Sequence, residues 1–265
     1  MFEYGYLKSQ AVKNPVVRYR ENITVMRILF ALMLLLAGYP MQGQVIISLL
    51  LGDKLNSGQV EFGLDGGINY PSIRGLEGGD ARSTFNIGFY FDIKLKDSAW
   101  MVHTGVLVKS TMGESNLPTY SLGDPDLDNS FADGRVKKKI NYFNVPIMMK
   151  YKINKRIYAE AGIMPSLRAK AYDIFTTSDS NGDLEYTLDI RDKYHRLDFG
   201  LIGGVGYRLM GGNGMNLGVR YYLGLVDITI DDTTPDQYNT SLYFSLGIPI
   251  GAGKAKAREG RKKTE

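Results

Sequence analysis

The chain has no cysteine, two histidines and a single tryptophan among its 265 residues, and it lacks long apolar runs. Without cysteine, neither a disulfide framework nor a thiolate metal site can form. The run ILFALMLLLAG near the N-terminus is too short for a transmembrane helix, which needs ~20 apolar residues. Glycine, by contrast, occurs 31 times, and tyrosine and phenylalanine occur 18 and 11 times. Abundant glycine and aromatic residues in short strands are typical of an all-β barrel.

Residues 84–95, TFNIGFYFDIKL, alternate between two unlike faces. The odd positions are all apolar, whereas the even positions carry polar or charged groups, a glycine and a tyrosine. A period of two predicts a β-strand whose two faces meet different surroundings. Only residues 96–99 separate this strand from a second alternating stretch, 100–109, so the two are expected to form a hairpin.

The same unit recurs and predicts eight strands in an antiparallel up-and-down barrel. We place them at residues 59–70, 84–95, 100–109, 139–152, 157–171, 197–209, 215–226 and 241–250. Pro146 in the fourth strand predicts a bulge, because proline cannot donate to a strand ladder. Three short connections alternate with four long ones, which span residues 71–83, 110–136, 172–196 and 227–240. Short turns at one end and long loops at the other are typical of transmembrane barrels.

The apolar face could in principle point inward, as in a soluble eight-stranded barrel of the lipocalin kind. Glycine placement argues against that alternative, because most strand glycines, such as Gly88, Gly105 and Gly162, lie on the polar face. The interior of eight strands is narrow and is just filled by side chains. The bulky apolar side chains are therefore expected to face lipid. Residues 59–250 are predicted to form a transmembrane β-barrel.

The polar face then lines the lumen. Its charged members are Glu61, Asp65, Asp92, Lys94, His103, Lys109, Lys150, Glu160, Arg168, Asp198, Arg208 and Arg220. Both signs are present, as a closed lumen requires if buried charges are to be paired. A structural network that fills the barrel is the favoured interpretation, and a proton or ion path is the alternative.

Other candidate chemistry is sparse. His195, with Asp192 and Tyr194 nearby, could serve a hydrolase or lipid acyltransferase at the outer rim. Residues 124–135 space their carboxylates like a calcium loop, but Asn129 and Arg135 occupy the places that need glycine and an acid. Residues 179–185 form a shorter acidic turn. We predict solvated loops, with no catalytic, cofactor-binding or metal site.

The predicted loops are acidic. Residues 110–135 contain five acids and one base, residues 172–194 six acids and two bases, and residues 227–239 four acids. Residues 252–265 carry six bases and two acids. One interpretation of this polarity is that it only aids solubility and orientation. The other is divalent-bridged contact with lipopolysaccharide outside, and an acidic partner for a basic periplasmic tail at residues 251–265.

The N-terminal region is predicted to be a targeting segment. Met26 and Arg27 precede the apolar run, an order typical of a secretory signal peptide over residues 26–43, with cleavage before Gln44. A buried core helix is the alternative. Residues 1–25 are then an upstream extension. Residues 44–58 form a short segment at the periplasmic mouth, either helical or irregular.

Four segments resemble the PorT-like family of small outer-membrane β-barrel proteins: ISLLLGDKLNSGQVEFGLDGGINY, NYFNVPIMMKY, FGLIGGVGY and SLYFSLGIPI. The resemblance covers residues 46–249. It implies an eight-stranded barrel in the outer membrane of a Gram-negative cell, and some relatives assist a protein-secretion and gliding apparatus. Outer-membrane strands commonly end in an aromatic residue, whereas here the last strand runs into GAGKAKAREGRKKTE.

We therefore expect a non-enzymatic outer-membrane barrel with a closed, polar-filled lumen and a structural or interaction role at the cell surface. An accessory role in secretion or gliding is the second hypothesis, and a barrel enzyme acting on lipid or peptide is the third. The expected partners are outer-membrane lipid, lipopolysaccharide and a periplasmic or secretion-machinery protein. No cofactor or nucleic acid is expected, and the protein is expected to be a monomer.

Overall fold

The computed structural model describes residues 57, 59–97, 99–179, 182–212, 214–231 and 235–250. The predicted upstream extension, the signal peptide and its cleavage site, most of the 44–58 segment and the basic tail lie outside the described residues.

Ten strands make up the sheet. They are β1 (Val60–Arg74), β2 (Thr84–Lys94), β3 (Trp100–Met112), β4 (Arg135–Asn144), β5 (Ile147–Lys152), β6 (Ile157–Asp179), β7 (Gly182–Asp189), β8 (Leu197–Arg208), β9 (Asn216–Gly224) and β10 (Tyr238–Pro249). Three short helical elements accompany them: α1 (Pro125–Ser130), a 3-10 helix at Arg191–Lys193 and a kinked turn at Leu209–Gly212. No helix in the described ranges is long and apolar enough to cross a membrane.

The strands close into an antiparallel barrel. The first strand, β1, pairs with both β2 and the last strand, β10. β4 and β5 follow one another between β3 and β6 and act as one broken strand. β7 pairs with β6 beyond the barrel wall. The wall is therefore eight strands in a closed meander, and the predicted fold is confirmed.

The break between β4 and β5 lies at Val145 and Pro146, where the sequence predicts a bulge. The Val145 amide donates to the Pro165 carbonyl at 2.9 Å across this break. Because Pro146 has no N–H to donate, the ladder stops there and resumes at Ile147.

The two faces of the wall are as unlike as the sequence pattern predicts. On β2, Phe85 and Phe89 are 52% and 42% exposed, whereas Tyr90 and Asp92 are 1% exposed. The same alternation of exposed apolar and buried polar side chains holds on β3, β8 and β9. A closed barrel with an apolar outer surface and a polar interior is the arrangement of a transmembrane barrel. The soluble-barrel alternative is wrong.

Beyond the apolar belt the chain is more ordered than predicted. β6 continues for 23 residues to Asp179 and turns back as β7, so most of the expected 172–196 loop is a β-hairpin. Residues 113–136 pack against this hairpin, and together with residues 172–179 and 182–194 they form what we call the outer head. Leu117, Phe131, Val136 and Phe175 are buried in a small core of their own there.

The helix α1 is set by local chemistry at one end of this head. The Asp124 side chain accepts hydrogen bonds from the backbone amides of Asp126 and Leu127, and Pro125 occupies the first helical turn. Both features favour a helix start. Asp124 and Asp128 thus serve the loop's own structure, since Asp128 accepts from the Leu122 amide at 2.6 Å.

Candidate functional site in the barrel lumen

The strand register brings the inward charges to one depth in the lumen. Asp92 on β2 lies opposite His103 on β3, and Lys150 on β5 lies opposite Glu160 on β6. Alternate residues of a strand face inward, so these charged side chains all point into the lumen. The inner ion network comprises Asp65, Asp92, His103, Lys150, Glu160 and Arg220, none of them more than 6% exposed.

Asp92 joins two of these partners. Lys150 Nζ donates to its carboxylate at 3.0 and 3.1 Å, and His103 Nδ1 lies 2.6 Å from Asp92 Oδ1. Lys150 also lies 3.5 Å from Glu160. A lysine this deeply buried needs such carboxylates, because an unpaired buried charge costs several kcal/mol.

Arg220 completes the network from the other side of the barrel. Its Nε donates to Glu160 Oε1 at 2.5 Å, and its Nη1 donates to Asp65 Oδ2 at 2.7 Å. Arg220 Nη2 also lies 3.3 Å from His103 Nε2. Three carboxylates therefore meet two permanent cations and one histidine in a single connected cluster.

A second layer lies nearer the short turns. Arg208 forms an ion pair with Glu61, and the Tyr90 hydroxyl donates to the same carboxylate at 3.1 Å. The Tyr90 ring stacks on His103 with centroids 5.5 Å apart, which links this layer to the ion network. Arg208 also lines a small pocket at the turn end together with Lys150 and Tyr158. The volume of this pocket is about 10 Å³, no more than a single water needs.

A third polar group occupies the lumen toward the outer head. Asn239 donates from Nδ2 to Asp198 at 2.9 Å and to the Tyr142 hydroxyl at 3.1 Å. Tyr243 and Ser110 lie 3.3 Å apart through their hydroxyls. Above this group the interior becomes apolar, with Ile73, Met112, Ile140, Ile190 and Ile228 buried. Buried side chains thus occupy the lumen at the turn end, at the level of the ion network and toward the head.

Two predicted lumen residues lie elsewhere. Lys109 is on the outer surface, with its ammonium group 4.0 Å from the Phe85 ring centre. The register of β3 shifts between Leu107 and Ser110, and a one-residue shift turns the following side chains to the other face. Arg168 pairs with Tyr142 just before a shift in the β4–β6 register. It is half-buried and lines a cavity with Leu167, and its Nε donates to the His195 carbonyl at 3.2 Å.

The other predicted lumen residues lie inside or at the ends of the barrel, with Lys94 half-buried at the turn end. Tyr90 and Tyr158 lie inside as well, as their place on the polar faces of their strands predicts. Tyr142 and Asn239, two further uncharged members of the lining, were not among the predicted lumen residues.

The remaining candidates for chemistry are not assembled. Tyr194 turns inward and donates to Gln237 at 3.2 Å, whereas Asp192 and His195 are exposed. Among the residues with described positions, no group of three or more histidine, aspartate or glutamate side chains could hold a metal ion.

Residues 52–229 match the sequence model of the outer membrane protein beta-barrel domain family. The chain belongs to this family. As a member of the outer membrane protein beta-barrel domain family, the protein is located in the outer membrane, and its exposed apolar belt is the lipid-facing surface.

Solved outer-membrane proteins are similar in outline. They include Ail, the attachment invasion locus protein of Yersinia pestis, in complex with the heparin analogue sucrose octasulfate (9% identity, 72% of this chain and 99% of that chain, TM-score 0.40). Neisserial surface protein A is 9% identical over 71% of this chain and 96% of that chain, with a TM-score of 0.38. OprG from Pseudomonas aeruginosa is 14% identical over 73% of this chain and 95% of that chain, with a TM-score of 0.34. The TM-scores are below 0.5, so these similarities add nothing to what the strand pairing shows. No curated protein matches the chain.

The outer head contains a further buried ion pair. Lys138 Nζ donates to the two Asp173 oxygens at 3.0 and 3.1 Å, and the Tyr120 hydroxyl donates to Asp173 at 2.8 Å. Burial opposes the charge of Lys138, but Tyr194 and Asp173 outweigh it and raise the pKa of Lys138. Burial, together with Asp173, also raises the pKa of Tyr120. The head is therefore fixed to the barrel by polar as well as apolar contacts.

Proposed function

We propose that this outer-membrane barrel is a closed, non-enzymatic protein that acts at the cell surface through its outer head. The observation that carries the proposal is the lumen, where polar side chains lie in successive layers from Glu61 to Asn239. An eight-stranded barrel filled in this way leaves no continuous aqueous path. The lumen then serves to hold the barrel and its head together, and function falls to the exposed surfaces.

The head is suited to contact with a partner. It has a small core of its own, and it presents exposed carboxylates at Asp124, Asp126 and Asp133. An ordered surface loses less conformational entropy on binding than a flexible loop does.

A photo-crosslinking amino acid at exposed Asn129 in intact cells tests this proposal. The matched control carries the same amino acid at Lys155, an exposed residue of the short turn at the opposite end. Specific adducts at Asn129 would support a surface role. Adducts at Lys155 alone would favour a periplasmic role instead.

The second candidate is an accessory part of a secretion or gliding apparatus within the PorT-like family. Its support is the resemblance of segments such as NYFNVPIMMKY, which span β4 and β5. Deletion of the gene should then impair protein secretion, whereas under the first proposal secretion stays normal and surface properties change.

Lipopolysaccharide is the membrane partner we propose for the rim of the barrel. The cations of the outer wall support this proposal, since lysine and arginine pair directly with phosphate.

A further inference from the structure

The outward side of β4 changes from apolar to basic within a few residues. Phe143 is 42% exposed in the lipid belt and pairs with Leu167 on β6, which is 37% exposed. Toward the head, the next outward residues of β4 are Asn141, Lys139 and Lys137, which alternate with buried Tyr142, Ile140, Lys138 and Val136. The two lysines therefore lie just above the apolar belt, where lipid headgroups begin.

Neighbouring strands add cations at the same level. Lys170 on β6 pairs with Asn141 and is exposed, and Lys109 on β3 lies over Phe85. Burial lowers the pKa of Lys139, and the nearby charges of Arg82, Lys109 and Lys137 lower it further. These cations are thus close enough to repel one another, and an anion beside them would relieve that repulsion.

A cavity of about 790 Å³ continues this surface around the rim. Its lining combines the outward apolar side chains of Phe143 and Leu167 with three arginines, Arg168, Arg191 and Arg196. Two acids, Asp189 and Asp192, also line it, and Asp189 pairs with Arg191 at 2.8 Å. The cavity combines apolar side chains at lipid depth with arginines at headgroup depth.

We propose that the outward lysines Lys137, Lys139 and Lys170 and the adjoining arginine cavity bind the phosphates of lipopolysaccharide in the outer leaflet. Phosphate monoesters on a glycolipid match both features, since arginine pairs with phosphate in a bidentate way and acyl chains fit the apolar side chains. Glu185, Asp189 and Asp192 are the acids on this side, and they are outnumbered by the cations. This inference rests on the proposed surface role and names the lipid that contacts the rim.

The test is a titration of the purified full chain with diphosphorylated lipid A, with bound lipid counted by native mass spectrometry. The variant K139Q/K170Q should weaken binding about 25-fold, at about fivefold for each cation removed near a membrane surface. The matched control K96Q/K155Q removes two exposed lysines from the short turns at the other end and should bind as the unmodified protein does. K139R/K170R keeps the charge and should restore binding.

The same titration measures the specificity of the site for lipid A over another anionic lipid. Phosphatidylglycerol, which carries a single phosphate diester, should bind less tightly than lipid A and respond less to K139Q/K170Q. Equal binding of both lipids, or no difference between K139Q/K170Q and K96Q/K155Q, would overturn the site. The electrophoretic mobility of K139Q/K170Q before and after heating shows whether this variant folds. If it does not fold, K170Q alone should weaken binding about fivefold. Crosslinks at Asn129 are independent of this result, so the two proposals can fail separately.

Discussion

Gly206 on β8 lies directly opposite Tyr158 on β6, and the Tyr158 ring fills the space that a side chain on Gly206 would need. A Cβ built on Gly206 would lie 2.2 Å from the tyrosine hydroxyl oxygen and from ring carbon Cζ. Gly63 and Tyr90, opposite each other on β1 and β2, repeat the arrangement. Glycine on the inner face thus makes room for the tyrosines that fill the narrow lumen.

Gly206→Ala is therefore expected to destabilise the barrel by about 1–3 kcal/mol, because the enclosed tyrosine has to shift. Gly203→Ala on the same strand is the control, since its Cβ would meet no atom closer than 3.5 Å. Urea unfolding of both variants in lipid vesicles measures the difference. Equal midpoints would show that the ring can move freely.

Phe85 and Phe89 on β2 are expected to lie at different depths in the membrane. Phe89, in the middle of the strand, should lie near the bilayer midplane, whereas Phe85 lies near the headgroups beside Lys109. Phe89→Arg should cost about 2–4 kcal/mol of folding free energy in vesicles, and Phe85→Arg about 0–1 kcal/mol. A greater loss for Phe85→Arg would refute the placement of the belt.

Substitution of one member of the ion network should leave its buried partners unpaired and lower the stability of the barrel. Arg220→Met leaves Asp65 and Glu160 without their shared partner, and the expected loss is about 3–5 kcal/mol of unfolding free energy. Lys155→Met on an exposed turn should change stability little. If both variants unfold at the same denaturant concentration, the network contributes nothing to stability.

The loop between β9 and β10 should loosen in acid. Burial opposes the charge of Asp227, but hydrogen bonds from Thr229 and Gln237 outweigh it and hold the pKa of Asp227 below its usual value. A carboxyl group with a lowered folded pKa stabilises the loop above the unfolded pKa of about 3.9, and this contribution is lost as the pH falls through the folded value.

Hydrogen exchange of the Thr229 and Gln237 amides, corrected for intrinsic rates, measures this change. Protection should be constant at neutral and mildly acid pH and decline below about pH 4. The Leu225 amide, which donates to the Phe199 carbonyl, is the reference without a carboxylate partner. In Asp227→Asn the acid-dependent step should vanish, and its persistence would mean that another group controls the loop.

The sequence predicted the wall of this barrel because period-two alternation reports directly which face of a strand is apolar. It could not place Lys109, since a β-bulge adds a residue and reverses the faces beyond it without changing the composition. Nor could it predict the outer head. Phe131 and Phe175 lie in stretches that read as polar loops, and they become a core only when the hairpin of β6 and β7 brings them together.

The net negative charge of the predicted loops does not show the basic residues at the rim of the barrel, for a related reason. Residues 110–135 and 172–194 are acidic in sum, yet Lys137, Lys139 and Lys170 lie on strand ends just outside those ranges. The side that each lysine faces is fixed by the register of β4 and β6, with Lys138 turned inward to Asp173 between two outward neighbours. The summed charge of the loop residues therefore cannot show which side each lysine faces.

The most direct test of a closed lumen is conductance of the purified full chain in a planar lipid bilayer. The inner ion network crosses the lumen with Lys150, Arg220 and their carboxylate partners buried, and an eight-stranded interior filled by side chains leaves no room for a hydrated ion to pass. We predict no steady conductance at any voltage that the bilayer withstands. Long-lived unitary steps of porin size, reproduced in independent preparations, would contradict the account.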